Sequence, residues 1–224
     1  DGQRVPVRSP LSGPFNLSNI LTAAACCHAL GVDLPLIAEG LEKVHAIPGR
    51  FEFIDEGQPF SVIVDYAHTP DALDRLLRAA RRICPNKLIS VFGCGGDRDR
   101  AKRPFMGKAA GDNSDFVVLT NDNPRTEDPM QIARHAVEGI LQSSLKSNRY
   151  HIVLDRYQAI DQAINMAAAG DVVVIAGKGH EDYQDVGSKR LPFDDRKVAR
   201  QVLQELMGTL KTAPVAQSLQ ERSA

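Results

Sequence analysis

The sequence predicts an α/β protein built on a mostly parallel, doubly wound sheet flanked by helices. Three observations predict it. From residue 51 onward, strand-sized apolar runs alternate with helical patterns, the rhythm of strand–helix–strand crossovers. The longest clean apolar runs, such as Val172 to Ala176, have the length of strands and fall far short of the ~20 residues a membrane span needs. A composition of 43 % hydrophobic and 25 % charged residues is that of an ordinary globular protein. The 27 basic and 28 acidic side chains leave a net charge of −1, which excludes a strongly basic nucleic-acid footprint and a self-repelling disordered chain.

In chain order, residues 1–15 are rich in Pro, Gly and Ser, with a short alternation at Val5 and Val7, and read as edge strands and loop. A helix follows from Asn16, with Leu17, Ile20, Leu21, Ala24, Cys27 and Leu30 as its apolar face and Gly31 as its cap. A short second helix runs from about Pro35 to Val44. Two small helices cannot enclose a core, so residues 1–48 are expected to be the trailing piece of another domain, and 49–210 the α/β domain. Phe51–Ile54 and Phe60–Val64 flank Glu56-Gly57-Gln58-Pro59, a turn signal, and suggest a hairpin. Thr69-Pro70-Asp71 opens a helix, with Thr as N-cap, Pro at the first position and Leu73, Leu76, Leu77, Ala80 and Ile83 inward.

Strands are expected at Leu88–Phe92, Phe116–Leu119, His151–Leu154 and Val172–Ala176. Helices are expected at Lys102–Gly111, Pro129–Leu141, Tyr157–Ala168 and Asp194–Met207. Residues 211–224 are polar and unpatterned and read as a flexible tail. The chain starts Asp1-Gly2-Gln3-Arg4, with neither Met nor an apolar leader, and is expected to be cut from something longer.

The four cysteines, Cys26, Cys27, Cys84 and Cys94, have no disulfide or zinc spacing, and Cys26-Cys27 lies in an Ala-rich helical pattern where Cys behaves as a small buried hydrophobe. A reducing, cytoplasmic setting and no metal site are expected. His28, His45, His135 and His151 have no evident partners and read as structural.

In a doubly wound sheet, ligands bind beyond the carboxyl ends of the strands. Four polar clusters follow predicted strands: Asp65-Tyr66-Ala67-His68, Gly93 to Arg98, Asn121 to Arg125, and Gly177-Lys178-Gly179-His180-Glu181. The glycine-rich Gly93 segment is neither a Walker loop nor a dinucleotide fingerprint, and reads as a sharp turn presenting Asp97, Arg98, Asp99 and Arg100 to a cleft. Asp122-Asn123-Pro124-Arg125 offers acceptors, a donor, a stiff loop and a planar cation, suited to the two ends of an amino acid. The bland alternative is an Asx-type turn whose Arg125 meets Glu127 or Asp128 at the surface. Glu181 can take an ammonium group, and the alternative there is a plain strand-to-helix turn with exposed polar side chains. His68 is either a hydrogen-bonded structural residue or, beside Asp65 and Tyr66, part of a nucleotide's surroundings.

Pro48-Gly49-Arg50-Phe51-Glu52, Asp65 to Asp71, Gly93 to Arg98, Asp122 to Arg125 and Gly177 to Glu181, in this order, closely resemble the C-terminal part of the Mur ligases, in particular the branch that adds diaminopimelate. The likeness spans Asn16 to about Leu206. It implies a Rossmann-like amino-acid-binding domain in a three-domain, ATP- and Mg2+-dependent ligase of peptidoglycan synthesis, residues 1–48 being the end of the central ATP-binding domain. In that family ATP phosphorylates a terminal carboxylate of a UDP-MurNAc-dipeptide, and the amino group of the incoming amino acid attacks the acyl phosphate. Matched residue by residue, Arg98, Asp122, Asn123, Pro124, Arg125, Gly177 and Glu181 fall on the diaminopimelate site, with Arg125 opposite the distal carboxylate that lysine lacks. Asn16, Asn19, Arg50, Asp65, Tyr66 and His68 fall on the ATP side.

Pro14 departs from the family pattern, and no Gly-Lys-Ser/Thr occurs anywhere in the chain. The resemblance therefore places the phosphate loop, the magnesium ligands, the catalytic residues and the UDP-binding domain upstream of Asp1, in missing N-terminal and central domains. The chain alone is then expected to be inactive. A lysine-adding relative, or a non-catalytic interaction module keeping the fold, are the alternatives. No nucleic-acid or membrane partner is expected.

Overall fold

The computed structural model describes residues 2–11 and 13–212. Its elements are α1 (Pro14–Ala29), α2 (Leu34–Glu42), β1 (Glu52–Ile54), β2 (Ser61–Asp65), α3 (Pro70–Arg82), β3 (Leu88–Cys94), α4 (Lys102–Asn113), β4 (Phe116–Asn121), α5 (Pro129–Leu141), β5 (Tyr150–Ile152), α6 (Arg156–Asn165), β6 (Val172–Ala176), β7 (Tyr183–Val186), β8 (Lys189–Pro192) and α7 (Asp195–Thr212). Six strands form one sheet in the order β1-β2-β6-β3-β4-β5. All neighbours are parallel except the β1–β2 hairpin, paired Ile54 to Val62. β7 and β8 form a separate antiparallel hairpin.

Two cores lie on the two faces of the sheet, as its double winding requires. Along β6, Val172, Val174 and Ala176 face one core with Leu73, Leu77, Met106, Ala136 and Ile140 of α3, α4 and α5. Val173 and Ile175 face the other with Ile160, Ile164, Val202 and Leu203 of α6 and α7. This alternation is the two-residue period of a strand, and both faces are apolar because helices cover both. Thr69 caps α3 by accepting from the Ala72 amide at 3.4 Å, with Pro70 at the first helical position.

The structure departs from the sequence reading in particular places. Residues 2–11 form no strand, and the hairpin β7–β8 was not foreseen. Ile83 ends α3 as its C-cap and is 47 % exposed, so it lies off the buried face. α7 continues past Met207 to Thr212, and the rest of the expected tail, residues 213–224, lies outside the described residues. The apolar face of α1 is partly open: Leu17, Leu21 and Leu30 are exposed, and so is Cys26. The rest of that face, Ile20, Ala24 and Cys27, is half-buried, whereas Cys26 stays exposed and enters no packed interior. α1 meets the segment leading into β1 where the Phe15 ring sets its edge against Phe51, 5.5 Å between centroids. Among the described residues no helix is long and apolar enough to cross a membrane.

Candidate functional site

Because β2, β6, β3 and β4 are parallel neighbours, the loops that follow them open at one edge of the sheet. There they enclose a groove of about 370 Å³, the size of a small-molecule site. Tyr66 and His68 line it from the loop after β2, Gly93, Gly95 and Arg98 from the end of β3 and its loop, and Asp122, Asn123 and Arg125 from the loop after β4. Gly177, Glu181 and Tyr183 come from the segment after β6, and Lys102 from the start of α4. Two larger hollows, of about 560 and 490 Å³, lie at the opposite edge, beside Asp171 and Lys87.

The segments after β4 and β6 are fixed from below. Lys178 is fully buried, and its Nζ donates to the Tyr183 carbonyl at 2.6 Å, Asn123 Oδ1 at 3.0 Å and Glu181 Oε2 at 3.3 Å. Asn123 is spent on the same network: its Nδ2 donates to Glu181 Oε2 at 3.1 Å, and its Oδ1 also accepts from the Asp185 amide. Asn123 therefore orients Glu181 and the loop, and leaves little of its amide for a ligand. The second oxygen of Glu181 accepts no hydrogen bond from a described residue, and neither does the buried Asp122 carboxylate. Gly177, at φ 122, lets the chain pass Asp122, because a Cβ there would sit 2.7 Å from Asp122 Oδ2. Beneath both carboxylates Arg156, fully buried, is gripped by Asp195 through two bonds of 2.7 Å and donates to the carbonyls of Asn121 and Ala176.

Arg125 has a left-handed backbone, φ 51. The unforeseen hairpin holds it there: its amide donates to the Asp185 carbonyl at 3.0 Å, and its carbonyl accepts from the Gly187 amide at 2.8 Å. Its Nη1 is tied to the carbonyls of Gly96 (2.8 Å) and Asn123 (3.4 Å), which leaves Nε and Nη2 for another partner. It does not meet Glu127 or Asp128. Glu127 pairs with Arg103 and Arg100, and Asp128 caps α5 through the Met130 amide.

Of the four charges expected in the cleft after β3, only Arg98 lines it. The Asp97 carboxylate turns to Thr126, Asp99 accepts from the Ala101 amide, and Arg100 goes to Glu127. Pro124 lies behind the groove, its carbonyl against Gly96. Cys94, at the end of β3, is no nucleophile: burial first, and the nearby Asp122 charge next, push its thiol up to about 12.

The residues matched to the nucleotide side do not share one hollow. Tyr66 and His68 line the main groove, with rings 4.6 Å apart. His68 Nδ1 donates to the Tyr66 carbonyl at 2.9 Å, the only role a carbonyl partner allows. Asn16 and Arg50 line a smaller hollow of about 140 Å³ with Phe51 and His45. Arg50 joins the two, its guanidinium 4.6 Å from the Tyr66 ring centroid. Asn19 donates to Asn16 Oδ1 from the exposed side of α1. Asp65 stands behind these groups, accepting from the amides of Phe51 (2.7 Å) and Ala67 (2.8 Å). Burial pushes its carboxyl up, against the pull of those amides and of Arg50.

Sequence reasoning missed Lys102, Lys178, Tyr183, Arg103 and Arg156. For Lys178 a signal existed, since it directly follows a wholly apolar strand and one glycine. His135 and His151, read as lacking partners, have them: Arg103 and Gln162.

A family described as "Mur ligase, glutamate ligase domain" matches residues 49–179. The chain belongs to the Mur ligase family. Among similar Mur ligases is the UDP-N-acetylmuramoyl-L-alanyl-D-glutamate–2,6-diaminopimelate ligase of Solibacter usitatus, 53 % identical over 202 residues, or 90 % of this chain and 40 % of the relative. The protein of the same name from Syntrophomonas wolfei is 50 % identical over 88 % of this chain and 40 % of its own length. A solved structure of a ligase with that name superposes with TM-score 0.69 at 44 % identity, covering 90 % of this chain and 40 % of the other. The UDP-N-acetylmuramate-alanine ligase of Thermotoga maritima, 21 % identical, shares the fold at TM-score 0.65 over 93 % of this chain and 41 % of the other. The chain thus spans about 40 % of the length of the curated Mur ligases it matches.

Proposed function

We propose that this chain is the amino-acid-binding, C-terminal portion of an ATP-dependent amide ligase that joins meso-diaminopimelate to UDP-MurNAc-L-Ala-D-Glu. The observation behind this reading is the mixed-charge groove, with Arg125 Nε and Nη2 open beside the Asp122 carboxylate and the one oxygen of Glu181 that Lys178 and Asn123 leave free. Asp122 and the free oxygen of Glu181 accept from an ammonium, and Arg98 and Arg125 take a carboxylate. A lysine side chain has no second carboxylate, and an Arg left without its partner costs about 1.5–3 kcal/mol of selectivity. Tyr66, His68 and Arg50 flank the end of the groove assigned to the nucleotide.

In this reading ATP converts the dipeptide's terminal carboxylate to an acyl phosphate. The lone pair of the amino acid's amine attacks the acyl carbon, the C–O bond to phosphate breaks, phosphate leaves and the nitrogen loses a proton. The groove's contribution is orientation, which holds the amine at the reacting carbon. Magnesium accompanies ATP and neutralises phosphate charge, but among the described residues no three His, Cys, Asp or Glu side chains come together as ligands for it. No Gly-Lys-Ser/Thr occurs either, so the phosphate loop and the UDP-binding part belong to the length of a Mur ligase this chain does not span.

Calorimetric titration of the chain with meso-diaminopimelate and L-lysine tests the reading, with diaminopimelate expected to bind at least tenfold more tightly. Equal affinities would refute the role of Arg125. ATP-dependent tripeptide formation by the isolated chain would refute the division of labour.

A further inference from the structure

One buried ion pair, Arg103 with Glu127, lies beside the groove without lining it. The side chain of Arg103, on α4, is fully buried, and that of Glu127, two residues after Arg125, is 8 % exposed. We propose that Arg103 and Glu127 are positioning residues for carboxylate recognition, locking the two arginine-bearing loops into a single frame that fixes Arg98 relative to Arg125. The inference rests on the amino-acid reading of the groove.

The first loop carries Arg98 beside Asp97, which is left-handed at φ 54, and the second carries Arg125, left-handed at φ 51. Neither conformation suits a residue with a side chain, so each must be held from outside. Glu127 of the second loop holds the first: its Oε1 accepts from the Asp97 amide at 2.6 Å and from Arg103 Nη2 at 2.8 Å, and its Oε2 from Arg103 Nη1 at 3.1 Å. Arg103 Nη2 also reaches the Gly95 carbonyl at 3.1 Å. Asp97 returns the grip through Thr126, whose Oγ1 donates to it at 2.9 Å. Between these joints the backbones touch: Gly96 donates to the Asn123 carbonyl at 2.9 Å, and a Cβ on Gly96 would meet the Pro124 oxygen at 1.9 Å. Behind the frame His135 Nδ1 accepts from Arg103 Nη1 at 3.1 Å, tying it to α5. Gln at 127 would leave the Arg103 charge buried without its counter-ion, and its single acceptor oxygen cannot serve both Arg103 nitrogens and the Asp97 amide as the two carboxylate oxygens do.

The test is steady-state kinetics of the complete ligase containing this chain, with Glu127→Gln, Thr126→Val and Arg125→Gln. Glu127→Gln is expected to raise KM for diaminopimelate at least tenfold, with kcat and KM for ATP within threefold of wild type. It should also narrow the preference for diaminopimelate over lysine. Thr126→Val, which removes one exposed hydroxyl, should raise the same KM about threefold and keeps the test available if Glu127→Gln does not fold. A general structural defect would move kcat, the ATP KM and both amino acids together, and that result overturns the proposal, as does an unchanged diaminopimelate KM. If Arg125→Gln leaves KM for diaminopimelate unchanged, or the wild type does not ligate, the amino-acid reading itself falls and takes the frame's role with it. A large effect of Arg125→Gln with none of Glu127→Gln removes the proposal alone.

Discussion

Replacing Asp195 by Ala should destabilise the fold more than any single surface change. Arg156 and Asp195 are both fully excluded from solvent and share two bonds of 2.7 Å, Nε to Oδ1 and Nη2 to Oδ2. The other two guanidinium bonds, to the carbonyls of Asn121 and Ala176 at 3.0 Å, fasten the ends of β4 and β6. Asp195→Ala leaves a buried cation with only those two neutral acceptors, and stranding one member of such a pair costs about 3–5 kcal/mol. For a chain of this size a kilocalorie corresponds to about 2–4 °C in Tm, so the melt should fall by roughly 6–20 °C. Thermal unfolding followed by far- and near-UV circular dichroism measures this, and coincidence of the two signals checks the two-state assumption. Arg75→Ala is the control. It removes a pair with Asp71 in which both side chains are more than 70 % exposed, and should cost about 0.5 kcal/mol or less. If Asp195→Ala moves Tm no more than Arg75→Ala, the buried bridge does not hold the strand ends and the argument fails.

Two further outcomes follow from the same geometry. Gly31 and Gly49 both have positive φ, 83° and 66°, but a Cβ on Gly31 meets open space and one on Gly49 would lie 2.1 Å from Gly179. Gly31→Ala should therefore cost only backbone strain, about 1 kcal/mol. Gly49→Ala should cost roughly 1–3 kcal/mol more in the same melts, and equal losses would mean the two loops are not in contact. The Glu127 carboxyl is pulled from 4.5 to about 2, chiefly by its hydrogen bonds to Arg103 and then, against burial, by the Asp97 amide. A carboxyl held low in the fold stabilises it fully above pH 4.5, and that contribution is lost as pH falls through 2. The Tm gap between wild type and Glu127→Gln should be constant above pH 5 and close between pH 4.5 and 2. A gap independent of pH would show that Glu127 is not held ionised.

The sheet was legible because its strands are apolar on both faces. Val172–Ala176 was bounded correctly to the residue, since nothing polar interrupts it, and the α3 start was marked by Thr69-Pro70. The β7–β8 hairpin escaped because it packs no apolar face: Lys189–Pro192 is exposed along its whole length, and its main visible mark is Gly187 at the turn. α1 misled in the opposite sense, showing an apolar stripe of which Leu17, Leu21 and Leu30 stay exposed. At the site, convergence of four loops followed from strand direction alone. Which side chains face inward did not, because contacts across 24 to 62 residues decide it, as when Glu127 claims Arg100 and Arg103, or Asn123 turns to Asp185 and Gln184 to the Asp122 carbonyl.

Among the described residues, three that bear side chains are left-handed: Phe51 lines the smaller hollow, Arg125 the main groove, and Asp97 stands next to Arg98 in the loop after β3. Each has its amide fastened by a different element: Phe51 to the Asp65 carboxylate at 2.7 Å, Asp97 to Glu127 at 2.6 Å, and Arg125 to the Asp185 carbonyl at 3.0 Å. Backbone strain of about 1–3 kcal/mol per residue survives only where such bonds outweigh it. Two of the three anchors are carboxylates accepting from an amide, stronger than neutral bonds. Bound ligand is not needed to create these conformations, because the bonds that hold them run within the protein. Under the proposed function, a ligand's binding energy would go to Arg98, Arg125, Asp122 and Glu181 and not to ordering the loops beneath them. That division explains why so many charged residues of these loops point away from the groove they serve.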